Sequence, residues 1–241
     1  MTCFELTRAS VDHELALDEA LLIEADGGRG GRVLRFWEPA NYAVVLGASG
    51  RIGEDLLVDA CRADGVPIFR RSSGGGTVVV GPGALSVTVI LPESAAPGLA
   101  AVDQAQHYVL DRIARSIERT GPEVTVAGRG DLVWGDRKCG GSAQRRLKHW
   151  FMVHCSILYD FPIDRIVRYL AIPRRQPEYR QGREHHDFLS NLGVPRNILM
   201  DAIRGAWLSG PRSPVAPAVS PALVESLMAE KFTNRTWIER L

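Results

Sequence analysis

Within VDHELALDEALLIEA, residues 11–25, Leu15, Ala16, Ala20, Leu22 and Ile23 recur at helical spacing, and acidic residues fill the other face. The pattern predicts an amphipathic helix with an acidic outer face, ended by the glycine-rich run 27–31. Two apolar runs follow, VLRFW (33–37) and AVVLG (43–47), parted by the turn signal Glu38-Pro39-Ala40-Asn41; both read as strands. Residues 54–64 predict a helix and 66–69 a short strand. The runs 76–80 and 84–91 are rich in β-branched residues and bracket Gly81-Pro82-Gly83, which predicts a hairpin. The longest helical pattern covers 99–119, and 124–159 reads as several strands with short turns. Helices are expected again at 163–170, 196–208 and 221–232, whereas 173–195 fits no regular pattern. GPRSPVAPAVSP, 210–221, reads as a proline-rich connector, because proline removes a backbone donor and fixes φ. Strands and helices interspersed without strict alternation predict an α+β fold, a mixed, largely antiparallel sheet flanked by helices.

Length and composition narrow this picture. The 241 residues are 45% hydrophobic and 24% charged, which suits one large globular domain, or one domain with a small appendage. A net charge of +1 provides no overall field for nucleic acid or an anionic membrane. No basic segment leads into an apolar run at the N-terminus, and no stretch is apolar enough to span a bilayer, so neither a signal peptide nor a membrane span is expected. Cys3, Cys61, Cys139 and Cys155 are widely spaced without a CxxC. That argues against a zinc site or disulfide framework and fits a reducing, cytoplasmic setting. The arginines are clustered locally, at 70–71, 145–146, 174–175 and 180–183, a pattern that fits one anionic small-molecule site better than a continuous nucleic-acid track, with a solvated face as the alternative.

The densest of these clusters opens RRSSGGGTVVVGPGALSVTVI, residues 70–90. Three successive glycines let the backbone approach a ligand closely. Their N–H groups, with arginine beside them, bind anions; a tight connection with two solvated arginines is the competing reading. Neither GxxxxGK[ST] nor a GxGxxG between strand and helix is present, so a P-loop and a dinucleotide fold are not supported. In GRGDLVWGDRKCGGSAQRR, 128–146, Lys138 stands directly before Gly140-Gly141-Ser142. There it either neutralises a phosphate or developing carboxyl charge or is an exposed turn lysine. Asp131 either meets an adenine amine or a metal, or caps a turn.

These stretches resemble, in order along the chain, the motifs of lipoate–protein ligases and the related octanoyl/lipoyl transferases. The first is similar to Arg-Arg-x-Ser/Thr-Gly-Gly-Gly, and the second to an Asp-Leu strand followed by Gly-x-Lys-x-x-Gly-Ser-Ala. FMVHCSILYDF matches a later histidine-containing strand, with His154 in register. LALDEALL and AEKFTNRTW are similar to the family's ends, so the matches run from about 15 to 238.

The resemblance implies a biotin/lipoate ligase catalytic fold that joins lipoate or octanoate to AMP, using ATP and Mg2+. The acyl group then passes to a lysine of a lipoyl carrier domain, such as a 2-oxoacid dehydrogenase E2 or the glycine cleavage H protein. Carried over, Lys138 is the catalytic residue. Arg70, Arg71, Ser73, Gly74, Gly75, Gly76, Thr77, Asp131, Gly141, Ser142, Ala143 and His154 surround the acyl group or the nucleotide. No metal ligands are assigned.

Three departures stand out. Val80-Gly81 replaces a His-Asp common in the family, Cys139-Gly140 stands where Ile/Val-Ser is usual, and the chain stops soon after the last helix. Beside the family's longer ligases, the last implies a single catalytic domain over 1–241 with no separate C-terminal accessory domain, and it leaves open an accessory subunit in trans. The transferases use a cysteine nucleophile, and neither GPEVTVAGRGD nor DRIVRYLAIPRRQPEY contains one. Cys139 is the remaining candidate, but strand alternation turns it to the core if Lys138 faces the site. The reading is therefore a ligase, with a cysteine-dependent transferase and a non-catalytic carrier- or adenylate-binding subunit as alternatives. RRQPEYRQGREHHDFLSNL, 174–192, is either a loop closing over the site or a solvated basic loop.

Overall fold

The computed structural model describes residues 1–8, 10–208 and 219–241. Most of the connector at 210–221 therefore lies outside the described residues. Among the described residues ten strands run β1 Thr2–Glu5, β2 Val33–Trp37, β3 Ala43–Leu46, β4 Ile68–Arg70, β5 Val78–Val80, β6 Ala84–Pro92, β7 Val124–Ala127, β8 Asp131–Trp134, β9 Arg137–Arg146 and β10 Trp150–Leu158. Seven form one sheet in the order β1-β2-β6-β10-β9-β8-β7, and three form a second in the order β4-β3-β5. Each sheet has one parallel pair, β1 with β2 and β3 with β4; the other pairs are antiparallel. The helices are α1 Val11–Asp26, α2 Ile52–Asp55, α3 Val58–Ala63, α4 Val102–Glu118, α5 Ile163–Tyr169, α6 His185–Phe188, α7 Arg196–Trp207, α8 Pro221–Leu227 and α9 Arg235–Ile238.

One face of the large sheet is dry. Leu34, Phe36, Val87, Val89, Phe151, Val153, Cys155 and Cys139 pack there beneath α4 and α7. The opposite face carries α1, which covers Phe4, Val33, Ile90 and Met152. The small sheet joins α1 and α8 through Ala43, Val45, Val80, Leu227 and Phe232. Its other side packs on α3, α5 and α6.

Two expectations from the chain pattern are overturned. First, β5 and β6 form no hairpin; β5 pairs with β3 and β6 with β2 and β10. Gly81 and Gly83 take φ of +155° and +93°, and a Cβ on Gly83 would overlap the backbone at Asp160. The turn thus passes the chain from one sheet to the other through a space that only glycine fits. Second, the acidic side of α1 is not a solvent face. Glu14, Asp18, Glu19 and Glu24 are all buried. Their charges are met by Arg35 with Glu14 and Asp18, Lys231 with Glu19, and Arg29 with Glu24. Ion pairing makes such burial tolerable, and hydropathy periodicity carries no record of it. The expected helix over 54–64 is also split, at Leu56-Leu57, into α2 and α3.

Candidate active site

The site face of the large sheet is set by cross-strand pairing. Arg35, Thr88, His154 and Ala143 are successive partners across β2, β6, β10 and β9, and Gly141 pairs with Asp131 of β8. Between β8 and β9 the register slips by one residue, so that Leu132 opposes Gly140 and Val133 opposes Lys138. The extra residue is Cys139. A bulge reverses the in–out alternation beyond it, which places Lys138 on the same face as Gly141 and Asp131 and leaves Cys139 in the core.

The consequences are visible in distances. Lys138 Nζ lies 2.7 Å from Asp131 Oδ1, and Asp131 Oδ2 accepts a 2.8 Å hydrogen bond from Tyr179. The lysine stem crosses Gly141 so closely that a Cβ there would sit 2.9 Å from Nζ and 3.0 Å from Cε. Cys139 is fully buried, its Sγ 3.4 Å from the Leu132 carbonyl. Burial pushes the thiols of Cys139 and Cys155 up to about 12.

The glycine loop lies against this surface. Gly75, at φ +84°, is placed so that a Cβ would touch Ala143 and the Ser142 carbonyl at 3.6 and 3.7 Å. Gly74, Gly75 and Gly76 are exposed, whereas Arg70, Arg71, Ser72 and Ser73 beneath them are buried. Arg71 folds back into the loop, donating to the carbonyls of Gly74 and Gly76 at 2.6 and 2.8 Å and to Ser73 Oγ at 3.0 Å. Arg70 donates to the carbonyls of Gly47 and Gly50 at 3.0 and 2.6 Å, and its Nη2 is buried without a partner. The arginines expected from the motif to surround a ligand are thus the loop's internal frame. Thr77 is tied away from the glycines, donating to Asp55 at 3.0 Å. Ser142 bridges Gln106 and the Gly130 carbonyl.

His154 Nε2 is 2.6 Å from Ser73 Oγ, so it joins the sheet to the loop. The residue is half-buried, and burial, with the nearby Arg71 charge, pushes the imidazole down to about 4. Between pH 6.5, its ordinary value, and about 4, the unfolded chain takes up a proton that the folded protein refuses. His154 therefore supports folding fully above pH 6.5, and that support is lost as the pH falls through this window. His154→Gln is expected to flatten the acid side of the wild-type stability curve, checked by urea denaturation from pH 7 to pH 4.5.

The 174–192 segment packs over the Asp131 end. Pro177 and Tyr179 approach Gly128, and Arg180 is 3% exposed with its guanidinium over the Phe188 ring, 4.6 Å from the centroid. Arg70, Arg71 and Arg180 have no carboxylate within ion-pair range among the described residues, unlike the buried Arg35. His185 is buried against Arg180, while His186 points out to Asp164. Among the described residues no cluster of His, Cys, Asp and Glu fits a metal ion. The sequence marked Arg180 only as part of an arginine cluster and had no signal for Tyr179, because their positions depend on how an irregular loop folds back.

The family model for the lipoyl protein ligase A/B catalytic domain matches residues 10–207. A relative from Aeropyrum pernix, named for lipoate-protein ligase A, is 32% identical over 168 residues, 70% of this chain and 61% of that protein. The chain thus spans less than two thirds of that relative's length. An octanoyltransferase LipM of Clostridioides difficile is 23% identical over 188 residues, covering 69% and 68%. Among solved structures, an archaeal bi-partite lipoate protein ligase studied with its E2 lipoyl domain, from Thermoplasma acidophilum, superposes with a TM-score of 0.81 at 17% identity, covering 99% of this chain and 95% of that one. A lipoate-protein ligase A bound with ATP superposes at 0.84 and 17% identity, covering 100% and 99%. At these identities the structural likeness establishes the mixed-sheet fold. No helix among the described residues is long and apolar enough to cross a membrane.

Proposed function

The chain belongs to the lipoyl protein ligase A/B catalytic domain family, and from that premise we propose that it activates lipoate or octanoate with ATP and transfers the acyl group to a lysine of a lipoyl carrier domain. One observation carries the reading. Lys138 and the exposed residues Gly74–Gly76 border one surface that is backed by Arg71, a buried cation with no carboxylate in ion-pair range among the described residues. A site so arranged favours an anion, because uncompensated buried cations are relieved by one.

In the first half-reaction the acid's carboxylate oxygen attacks the α-phosphorus of ATP, the bond to pyrophosphate breaks, and acyl-AMP forms. In the second, the carrier lysine's neutral amine attacks the acyl carbonyl, the bond to the AMP oxygen breaks, AMP leaves, and the amine's proton passes to solvent. Lys138 stabilises charge at the carbonyl and phosphate oxygens in both. Gly141 leaves room for its stem, and Asp131 orients its ammonium. Ser73, fixed by a neutral His154, helps hold the loop's shape. Magnesium would be held mainly by the nucleotide's phosphate oxygens and would neutralise polyphosphate charge; the nearby Asp131 has both carboxylate oxygens engaged, by Lys138 and Tyr179.

The transferase reading is favoured by the similarity to LipM, but it requires a reactive thiolate on the Lys138 face. All four cysteines are buried, and a raised thiol pKa opposes nucleophilicity. The test uses the intact protein with ATP, Mg2+, lipoate or octanoate and an apo lipoyl domain, and in parallel with chemically made lipoyl-AMP. The lipoyl domain is expected to gain the acyl mass, equally with Cys139→Ala and Cys155→Ala. No gain from either acyl source overturns the proposal, as does ATP-independent transfer with an acyl thioester trapped on a cysteine. If lipoyl-AMP alone supports transfer, the adenylation step needs an accessory subunit in trans.

A further inference from the structure

The family match ends at residue 207, yet the glycine loop is held from beyond it. Arg70 Nε donates to the carbonyl of Ile238 at 2.9 Å, and in return Trp237 Nε1 donates to the carbonyl of Arg70 at 3.0 Å. These are reciprocal bonds, across more than 160 positions of chain, to the residue that leads into Arg71-Ser72-Ser73-Gly74. Arg240 adds a third tie, donating to the Ala48 carbonyl, and its guanidinium stacks 3.7 Å from the Trp237 ring centroid. On the ring's other cationic contact, Lys231 Nζ lies 5.6 Å from the centroid and pairs with the buried Glu19 at 2.6 Å.

The grip reaches the loop by a continuous route. With its Nε spent on Ile238, Arg70 turns Nη1 onto the carbonyls of Gly47 and Gly50. Gly47 in turn abuts the loop, where a Cβ on it would overlap the Gly75 carbonyl. The segment also works against like charge, since Arg240 and Arg70 both approach the Ala48 carbonyl. Holding two guanidinium groups together at one oxygen has a cost that the aromatic stacking and the reciprocal bonds offset.

We propose that residues 235–241 are a latch that positions the glycine loop for its ligand, with Trp237 and the Ile238 carbonyl as positioning groups acting through Arg70. The latch rests on the reading of this loop as a wall of the substrate site. Its removal frees Arg70, the turn at 47–50 and the backbone around Gly75, while the β6–β10 core, to which the segment makes no hydrogen bond among the described residues, stays closed.

The experiment compares the full chain, Trp237→Phe, and a chain ending at Asn234. Amide hydrogen exchange is followed at 71–77 and, as reference, at Val87 and Val153. Lipoate turnover and direct lipoate binding are measured on the same proteins. In the shortened chain, exchange at 71–77 is expected to rise about tenfold with Val87 and Val153 unchanged. KM and Kd for lipoate are expected to rise by a similar factor, with kcat altered less, and Trp237→Phe to show the same pattern more weakly. Unchanged loop exchange overturns the latch, as does loosening that spreads equally to Val87 and Val153, which marks a general loss of stability. If the full chain neither binds lipoate nor forms acyl-AMP but the loop still loosens selectively, the latch stands and the ligase reading falls.

Discussion

Replacing Lys138 by methionine is expected to slow acyl-adenylate formation and acyl transfer by about a hundred- to a thousandfold, the usual loss when one preorganised donor to a developing charge is removed. The fold should be nearly indifferent. The Lys138 side chain is 28% exposed and its partner Asp131 17%, so the pair contributes at most about 1 kcal/mol, and Asp131 keeps its bond from Tyr179. Arginine is not a conservative replacement here. The lysine stem runs over Gly141 with no space for a Cβ beneath it, and a planar fork does not follow that path. Gly141→Ala provides the companion measurement, since it keeps the ammonium but forces it off the Asp131 line. Single-turnover assays that separate adenylation from transfer, with thermal unfolding of each variant, check the prediction. Full activity of Lys138→Met would remove the group on which the chemistry depends.

Arg35→Met is expected to destabilise the protein by about 3–5 kcal/mol, the cost of leaving buried charge uncompensated. Arg35 has no exposed surface and bridges Glu14 and Asp18, with further bonds to the carbonyls of Leu6 and Glu14. Asp18 also accepts from Thr88 at 2.7 Å, and Thr88 is the cross-strand partner of His154. The cluster therefore seats α1 beside the candidate site. Burial already raises the Glu14 carboxyl above its ordinary value while Arg35 opposes the rise. Without Arg35 the Glu14 carboxyl should rise further, so the folded variant binds a proton that the unfolded chain releases. Its deficit is then greatest near neutral pH and shrinks as the pH falls. Urea denaturation at pH 7 and pH 5 checks both the size and the sign.

Much of the secondary structure was legible in the chain. The runs at 33–37, 43–47 and 84–91 became strands and 11–25 a helix because apolar periodicity reports how many faces an element buries. The same logic failed where burial was ionic. Glu14, Asp18, Glu19 and Glu24 looked like a solvent face, and only their partners on β2, the Gly27–Gly31 turn and the C-terminal segment put them inside. It failed again at Gly81-Pro82-Gly83, where local turn chemistry predicts a reversal but cannot say which sheet the next strand joins.

The candidate site divides in the same way. By itself the sequence determined the reactive inventory: the order of the Arg-Arg-Ser-Ser-Gly-Gly-Gly loop, Lys138, Gly141 and His154, and the family to which such an order belongs. It also set the opposite facing of Lys138 and Cys139, because strand geometry alternates side chains. Tertiary structure alone decided what each group touches. The bulge at Cys139 brings Lys138 onto the face of Gly141 and Asp131, and Arg70 and Arg71 turn inward to frame the loop. Tyr179 closes on Asp131, and the C-terminal residues reach back to Arg70. Those outcomes depend on registers and contacts between residues far apart in the chain, and local propensity does not encode them.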